Sequence, residues 1–171
     1  MRVLVLAGER CQSLMDSRMW NLHRQHLQLD EIWTCVQKNN RRVRKGDSPE
    51  IGDAWVYVAI DADTKLVPAF HIGKRHLVDT RTFLWDLYGR IEGRTQITTD
   101  GLHHYTASVP DTFGLAVDFA QLVKLIGDYG QHDGPDPSAV ATKMYPLNPS
   151  SQLIMNLISH CCLGNEHPLW I

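Results

Sequence analysis

The sequence is poor in the features that announce many protein classes. It holds only four cysteines in 171 residues, Cys11, Cys35, Cys161 and Cys162. None of them forms a CxxC pair, so a zinc knuckle is not supported, and two vicinal thiols at 161–162 make no disulfide framework. Reduced thiols in a cytoplasmic protein are the expectation. No apolar run is long enough to cross a bilayer. The stretch Met1–Gly8 is short, and Glu9 and Arg10 follow at once, so neither a membrane span nor a secretory signal is expected. The zinc-hydrolase pattern HExxH, a Gly-rich phosphate loop and the G-x-S-x-G elbow are all missing. Internal repeats are missing too. No Lys or Arg follows Lys143.

Hydrophobic residues make up 43% of the chain, enough to bury a core, and the length suits one domain of ordinary size. The formal net charge of −2 is not that of a typical nucleic-acid binder. That average conceals an asymmetry, because the basic residues cluster early. The densest patch is Arg41-Arg42-Val43-Arg44-Lys45. Arg41, Arg42, Arg44 and Lys45 can grip a DNA backbone through sequence-blind electrostatics, and the ordinary alternative is a solvated loop.

Periodicity outlines a mixed α/β chain. Residues 1–20 mix Leu4, Leu6, Leu14, Met15 and Met19 with charges and read as helix, with a short strand ending at Gly8 as the competing reading. Leu27 to Val36 is β-branched and aromatic enough for a strand. Polar residues 37–53 read as a loop. Trp55 to Ile60 is a continuous apolar strand suited to burial on both faces. Asp61 to Lys65 is a turn, and Leu66 to Ile72 returns as a third strand. From Asp79 the period becomes helical through Phe83, Leu84, Leu87, Tyr88 and Ile91, with Asp79 or Thr80 as the expected cap and Gly89 and Gly93 marking the end. Gln96 to Thr99 is a short strand. Leu102, Tyr105 and Val109 suggest a helix stopped by Pro110, and Val117 to Phe119 a fifth strand. Gly127 to Pro149 reads as loop or disorder. Three strands, helix, strand, helix, strand is the order of a ribonuclease-H-like core, an antiparallel meander leading into parallel strands.

Two acids fit a site within that order. Asp30 lies in an apolar strand, where a carboxylate is costly unless paired or bound to metal. Taken alone it reads as a hydrogen-bonded strand acid. Glu31 adjoins it, but neighbours on a strand point to opposite faces, so only one of the two can face a shared site. Asp100 closes the fourth strand, at the carboxyl end where α/β sheets bind ligands. Its alternative is a helix cap. If the first and fourth strands are neighbours, Asp30 and Asp100 can converge, and Mg2+ or Mn2+ relieves their repulsion. Two such ions about 4 Å apart activate a water or a 3′-hydroxyl against a phosphodiester. Asp61 and Asp63 share i, i+2 spacing, but their setting is that of a turn. His103 and His104 can touch a phosphate, though an exposed helix surface is their ordinary setting.

An ordered series of motifs carries a family resemblance. Leu29-Asp30-Glu31-Ile32-Trp33-Thr34, Arg41-Arg42-Val43-Arg44, Gly52-Asp53-Ala54-Trp55, Ala59 to Pro68, Gly73-Lys74-Arg75, Thr98-Thr99-Asp100-Gly101 and Val117 to Lys124 resemble the InsB-type transposases of the insertion-sequence-one family. The resemblance runs over roughly residues 1 to 130. It implies a ribonuclease-H-like mixed sheet, with an antiparallel three-strand meander flanked by helices and the C-terminal helix missing or replaced. It also implies an Asp–Asp–Glu triad holding Mg2+ or Mn2+ in a two-metal arrangement, and the cutting and joining of element terminal repeats and target DNA by a homo-oligomer. The first acid carries over to Asp30 and the second to Asp100, as catalytic and metal-binding residues. The family's third acid lies in a later Tyr-Val-Glu-Arg-Gln-Asn-type helix that has no counterpart here. Glu166, the only glutamate after Asp100, sits in Gly164-Asn165-Glu166-His167-Pro168, which is not helix-like, and does not inherit the role. The family's zinc-binding and helix-turn-helix regions have no counterpart either. The expectation is therefore a catalytically incomplete transposase core at 25–126, preceded by a helical linker at 1–24 and followed by a loop and atypical tail at 127–171. The competing expectations are a non-catalytic DNA-binding or dimerising fragment that interferes with an active transposase, and a decayed fragment without a role.

Overall fold

A computed structural model describes residues 2–125 and 141–146. The chain opens with helix α1 (Arg2–Arg18), then strand β1 (His26–Val36), a single 3-10 turn (Asn40–Arg42), β2 (Gly52–Asp61), β3 (Ala69–Gly73), helix α2 (Leu77–Arg90), β4 (Thr95–Thr99), α3 (His104–Phe113), a second 3-10 turn (Gly114–Ala116), β5 (Val117–Leu125) and β6 (Ala141–Pro146). The strands form one six-stranded mixed sheet in the order β3-β2-β1-β4-β5-β6. β3, β2 and β1 pair antiparallel, as the meander predicts, while β4 pairs parallel with both β1 and β5.

Alternation decides which face of the sheet is covered. Leu27 and Leu29 of β1, Tyr57 and Ala59 of β2, Ile97 of β4 and Val117 and Phe119 of β5 turn inward. They meet Phe83, Leu84 and Leu87 of α2 and Tyr105, Val109 and Phe113 of α3. Both helices present residues at three- and four-residue spacing, which makes one apolar stripe on each. The opposite face is much more open. There Ile32 (58% exposed) and Ile72 (59%) flank Val56 in one cross-strand row. Tyr57, Ala59 and Asp61 of β2 are buried on one face, while Val56, Val58 and Ile60 on the other are only half-buried, against the expectation of two covered faces.

Four local expectations are corrected. Helix α2 starts earlier, with His76 rather than Asp79 or Thr80 at the cap position, because Asp79 is engaged by His71 at 3.1 Å and Thr80 turns its hydroxyl back to the His76 carbonyl. α3 continues through Pro110 to Phe113, since Thr112 and Phe113 bury against the core and the Gly114 N–H donates to the Pro110 carbonyl. β3 begins at Ala69, because Leu66 belongs to the turn, where its carbonyl accepts the Asp61 N–H. Residues 141–146, read as loop, pair antiparallel with β5 instead. The rest of 127–171 lies outside the described residues, and Glu166 with it.

Helix α1 buries no residue. Its C-terminal end is tied to α2 by Arg90, which is 3% exposed and donates to Asp16 (2.7 Å), Asp86 (3.0 Å) and the Met15 carbonyl (3.3 Å). The Arg90 guanidinium also lies over the Trp20 ring. Among the described residues no helix is long and apolar enough to cross a membrane.

Candidate functional site

β1 and β4 are parallel neighbours, with Leu29 opposite Thr99. Their C-terminal ends therefore lie side by side, and each delivers an acid there. From β4 the acid is Asp100, as expected. Its Oδ1 accepts the Leu102 N–H at 3.1 Å, and the buried Gln121 amide of β5 donates to the Leu102 carbonyl at 2.9 Å, which fixes the turn. The capping alternative for Asp100 is thus partly real, since the carboxylate does bind the backbone ahead of α3.

From β1 the acid that meets Asp100 is Glu31 rather than Asp30. Glu31 continues the inward set Leu27 and Leu29, and its side chain is fully buried. Asp30 belongs to the alternate set on the open face, where it is exposed and its Oδ1 accepts the Glu31 N–H at 2.8 Å. A strand cannot aim both at one place. The cost expected for a carboxylate in an apolar strand accordingly falls on Glu31.

Arg75, in the bend between β3 and α2, links the two acids. One of its terminal nitrogens lies 3.2 Å from Glu31 Oε2 and 3.8 Å from Asp100 Oδ2. The guanidinium carbon sits 4.6 Å from the centre of the Trp55 ring, and Trp55 pairs across the sheet with Trp33. Behind the acids stands Tyr105 of α3. Its hydroxyl and Glu31 Oε1 are both buried, and among the described residues neither has a hydrogen bond of good geometry. Burial pushes the Glu31 carboxyl above the usual glutamate range, Asp100 pushes the same way, and Tyr105 and Arg75 pull against them. Burial, together with the Glu31 charge, drives the Tyr105 hydroxyl far above the ordinary tyrosine range, so it stays protonated. His104, half-buried beside Thr80, is held below the usual histidine value by burial first, then by His103, Arg75 and His76.

An orphaned, buried carboxylate oxygen beside a second carboxylate is a donor set that suits a hard divalent ion. It supplies two ligands and no cage. No group of three or more His, Cys, Asp or Glu side chains suited to a metal comes together among the described residues.

The other sequence candidates lie elsewhere. Asp61 is buried in its turn, where it accepts from Thr64, the Asp63 N–H and Arg24, as turn chemistry predicts. Arg41, Arg42, Arg44 and Lys45 are exposed on the β1–β2 loop, and Lys38, Arg41, Arg42 and Arg44 line an open cleft there. None of the four forms an ion pair with an acid among the described residues, whereas neighbouring Lys38 pairs with Asp47 at 2.6 Å. The loop is anchored by a reciprocal pair. The Asn40 N–H donates to Asp53 (3.0 Å), and the Asp53 N–H donates to the Asn40 side chain (2.9 Å).

Glu31, Arg75, Tyr105 and Gln121 are the residues that sequence reasoning missed. Glu31 had a signal in its two-residue spacing from Leu27 and Leu29. Arg75 and Gln121 stand in motifs of the family resemblance and Tyr105 in the helical pattern, but only the tertiary fold brings them to the acids. No protein-family model matches the chain, and no curated protein matches it significantly.

Proposed function

We propose that this chain is the core of a DNA transposase of the Asp–Asp–Glu, ribonuclease-H-like type, whose chemistry is divalent-metal-dependent cleavage and transfer of DNA strands. The observation that carries the reading is the buried, unpartnered Glu31 Oε1 beside Asp100, at the joined ends of two parallel strands. Support also comes from the strand order, with β1 central between an antiparallel meander and parallel β4 and β5. The motifs that resemble the InsB-type transposases span these same elements. Glu31 and Asp100 would hold Mg2+ or Mn2+, and Glu31 replaces Asp30 in that role because of the face it occupies. The bound ion supplies activation of a water or 3′-hydroxyl and stabilisation of the leaving oxygen. Tyr105 and the apolar residues beneath exclude water from the inner carboxylate, and Gln121 holds the Asp100 turn in place. Two acids fall short of the family's three, so the core is catalytically weak or inert without a further ligand.

A metal-dependent strand-cleavage and transfer assay on terminal-repeat DNA tests the activity, and Mn2+ binding tests the site. Binding abolished by Glu31→Gln and Asp100→Asn but kept by Asp30→Asn is the expected pattern. Binding lost with Asp30→Asn and kept with Glu31→Gln refutes the assignment.

A second reading rests on the β1–β2 loop cations Arg41, Arg42, Arg44 and Lys45, which pair with no acid among the described residues. In that reading the chain binds DNA backbone without acting on it. Its affinity falls steeply with salt and drops when Arg41, Arg42 and Arg44 are changed to Gln. Absence of binding at low salt removes that reading.

A further inference from the structure

We propose that Arg75 is a built-in counterion, which occupies the cation position of the Glu31–Asp100 pair and must leave it when a divalent ion binds. The inference rests on the metal reading above and adds a competitor that the reading does not require.

Three observations carry it. A single terminal nitrogen of Arg75 serves both acids, at 3.2 and 3.8 Å, so the contact lacks the two parallel bonds that make arginine–carboxylate pairs strong. One positive charge faces two carboxylates, and Glu31 Oε1 is left without a partner. The guanidinium thus brings one charge to the two carboxylates, whereas a divalent ion carries the charge of both. Finally, Arg75 has somewhere to go. It sits in a bend, is 39% exposed, and rests on the Trp55 ring at 4.6 Å, a support that does not depend on the acids. Withdrawing the guanidinium by a small rotation opens the cation position without uncovering the core.

The test is Mn2+ binding to the full chain, followed by the electron paramagnetic resonance signal of the free ion. Removing a positive charge adjacent to the bound ion is expected to tighten Mn2+ binding about tenfold in Arg75→Gln. Arg75→Lys, which keeps the charge, is expected to bind like the parent. Trp55→Leu removes the support but not the charge, and serves as the second variant should Arg75→Gln fail to melt cooperatively. It is expected to tighten or loosen binding by less than about threefold, in the range of one exposed cation–ring contact. Equal or weaker binding in Arg75→Gln, or a change in Trp55→Leu as large as a full unit charge would give, overturns the counterion role and makes Arg75 a positioning residue for the acids. If neither the parent nor Arg75→Gln binds Mn2+, the metal reading itself fails. If the parent binds and Arg75→Gln does not improve, only the counterion fails.

Discussion

Replacing Glu31 by Gln is expected to stabilise the fold at neutral pH while removing the metal site. The wild-type carboxylate is fully buried, its Oε1 has no hydrogen-bond partner, and the Tyr105 hydroxyl beside it has none either. An unsatisfied buried polar atom costs about 1–3 kcal/mol. The amide of Gln keeps an oxygen for Arg75 and, carrying no charge, sheds the desolvation cost of the buried carboxylate. What is lost is the ionic part of a half-exposed bridge to Arg75, worth about 0.2–1 kcal/mol. The net expectation is a gain of about 0–2 kcal/mol at pH 7, measured by urea unfolding. The pH dependence has a definite sign. The folded-state pKa of Glu31 is raised above its usual 4.5, so the folded state prefers the protonated acid. The stability that Glu31 contributes is intact below the unfolded value. It is lost as pH rises from there through the raised folded value. The advantage of Glu31→Gln should therefore be small near pH 4, grow across that window and level off above it. A variant destabilised by more than about 1 kcal/mol at pH 7, or a difference that ignores pH, refutes the account of a strained, desolvated carboxylate.

Three further outcomes follow from the packing. Leu87→Ala, at a fully buried position in the core between α2 and the sheet, should cost about 2–5 kcal/mol by urea unfolding. Gly52→Ala should loosen the basic loop, because Gly52 has φ of +114° and an added Cβ would collide with the Asn40 side-chain oxygen that holds Asp53. Faster amide exchange at Asn40 and Asp53 with little change in the core is the expected readout. Arg90→Ala should free α1, seen as faster proteolysis around residues 18–22 while β1 to β5 stay protected.

Much of the layout was legible in the sequence because it rests on local patterns. The antiparallel meander followed from three strand-like runs separated by turn residues, and the Asp61–Lys65 turn from its own side chains. α2 followed from Phe83, Leu84 and Leu87. The site was legible only in outline. The adjacency of Asp30 and Glu31 left their faces undecided, and what decides is the register that puts Leu27 and Leu29 under the helices. Arg75 reaches the acids across β2, from a bend whose position depends on β3 pairing. Pro110 looked like a stop because the rule that proline ends helices is local, whereas burial of Phe113 against Tyr88 is not. β6 was hidden for a similar reason, since a six-residue strand next to Gly- and Pro-rich sequence becomes one only by pairing with β5.

The parallel pairing of β1 with β4 has a consequence for folding. All of β2, β3 and α2 lies between those strands in the chain, so the ends of β1 and β4 meet only after a long segment has closed. The two carboxylates are brought together by that closure and oppose it, so an ion that bridges them is expected to favour the closed, folded chain.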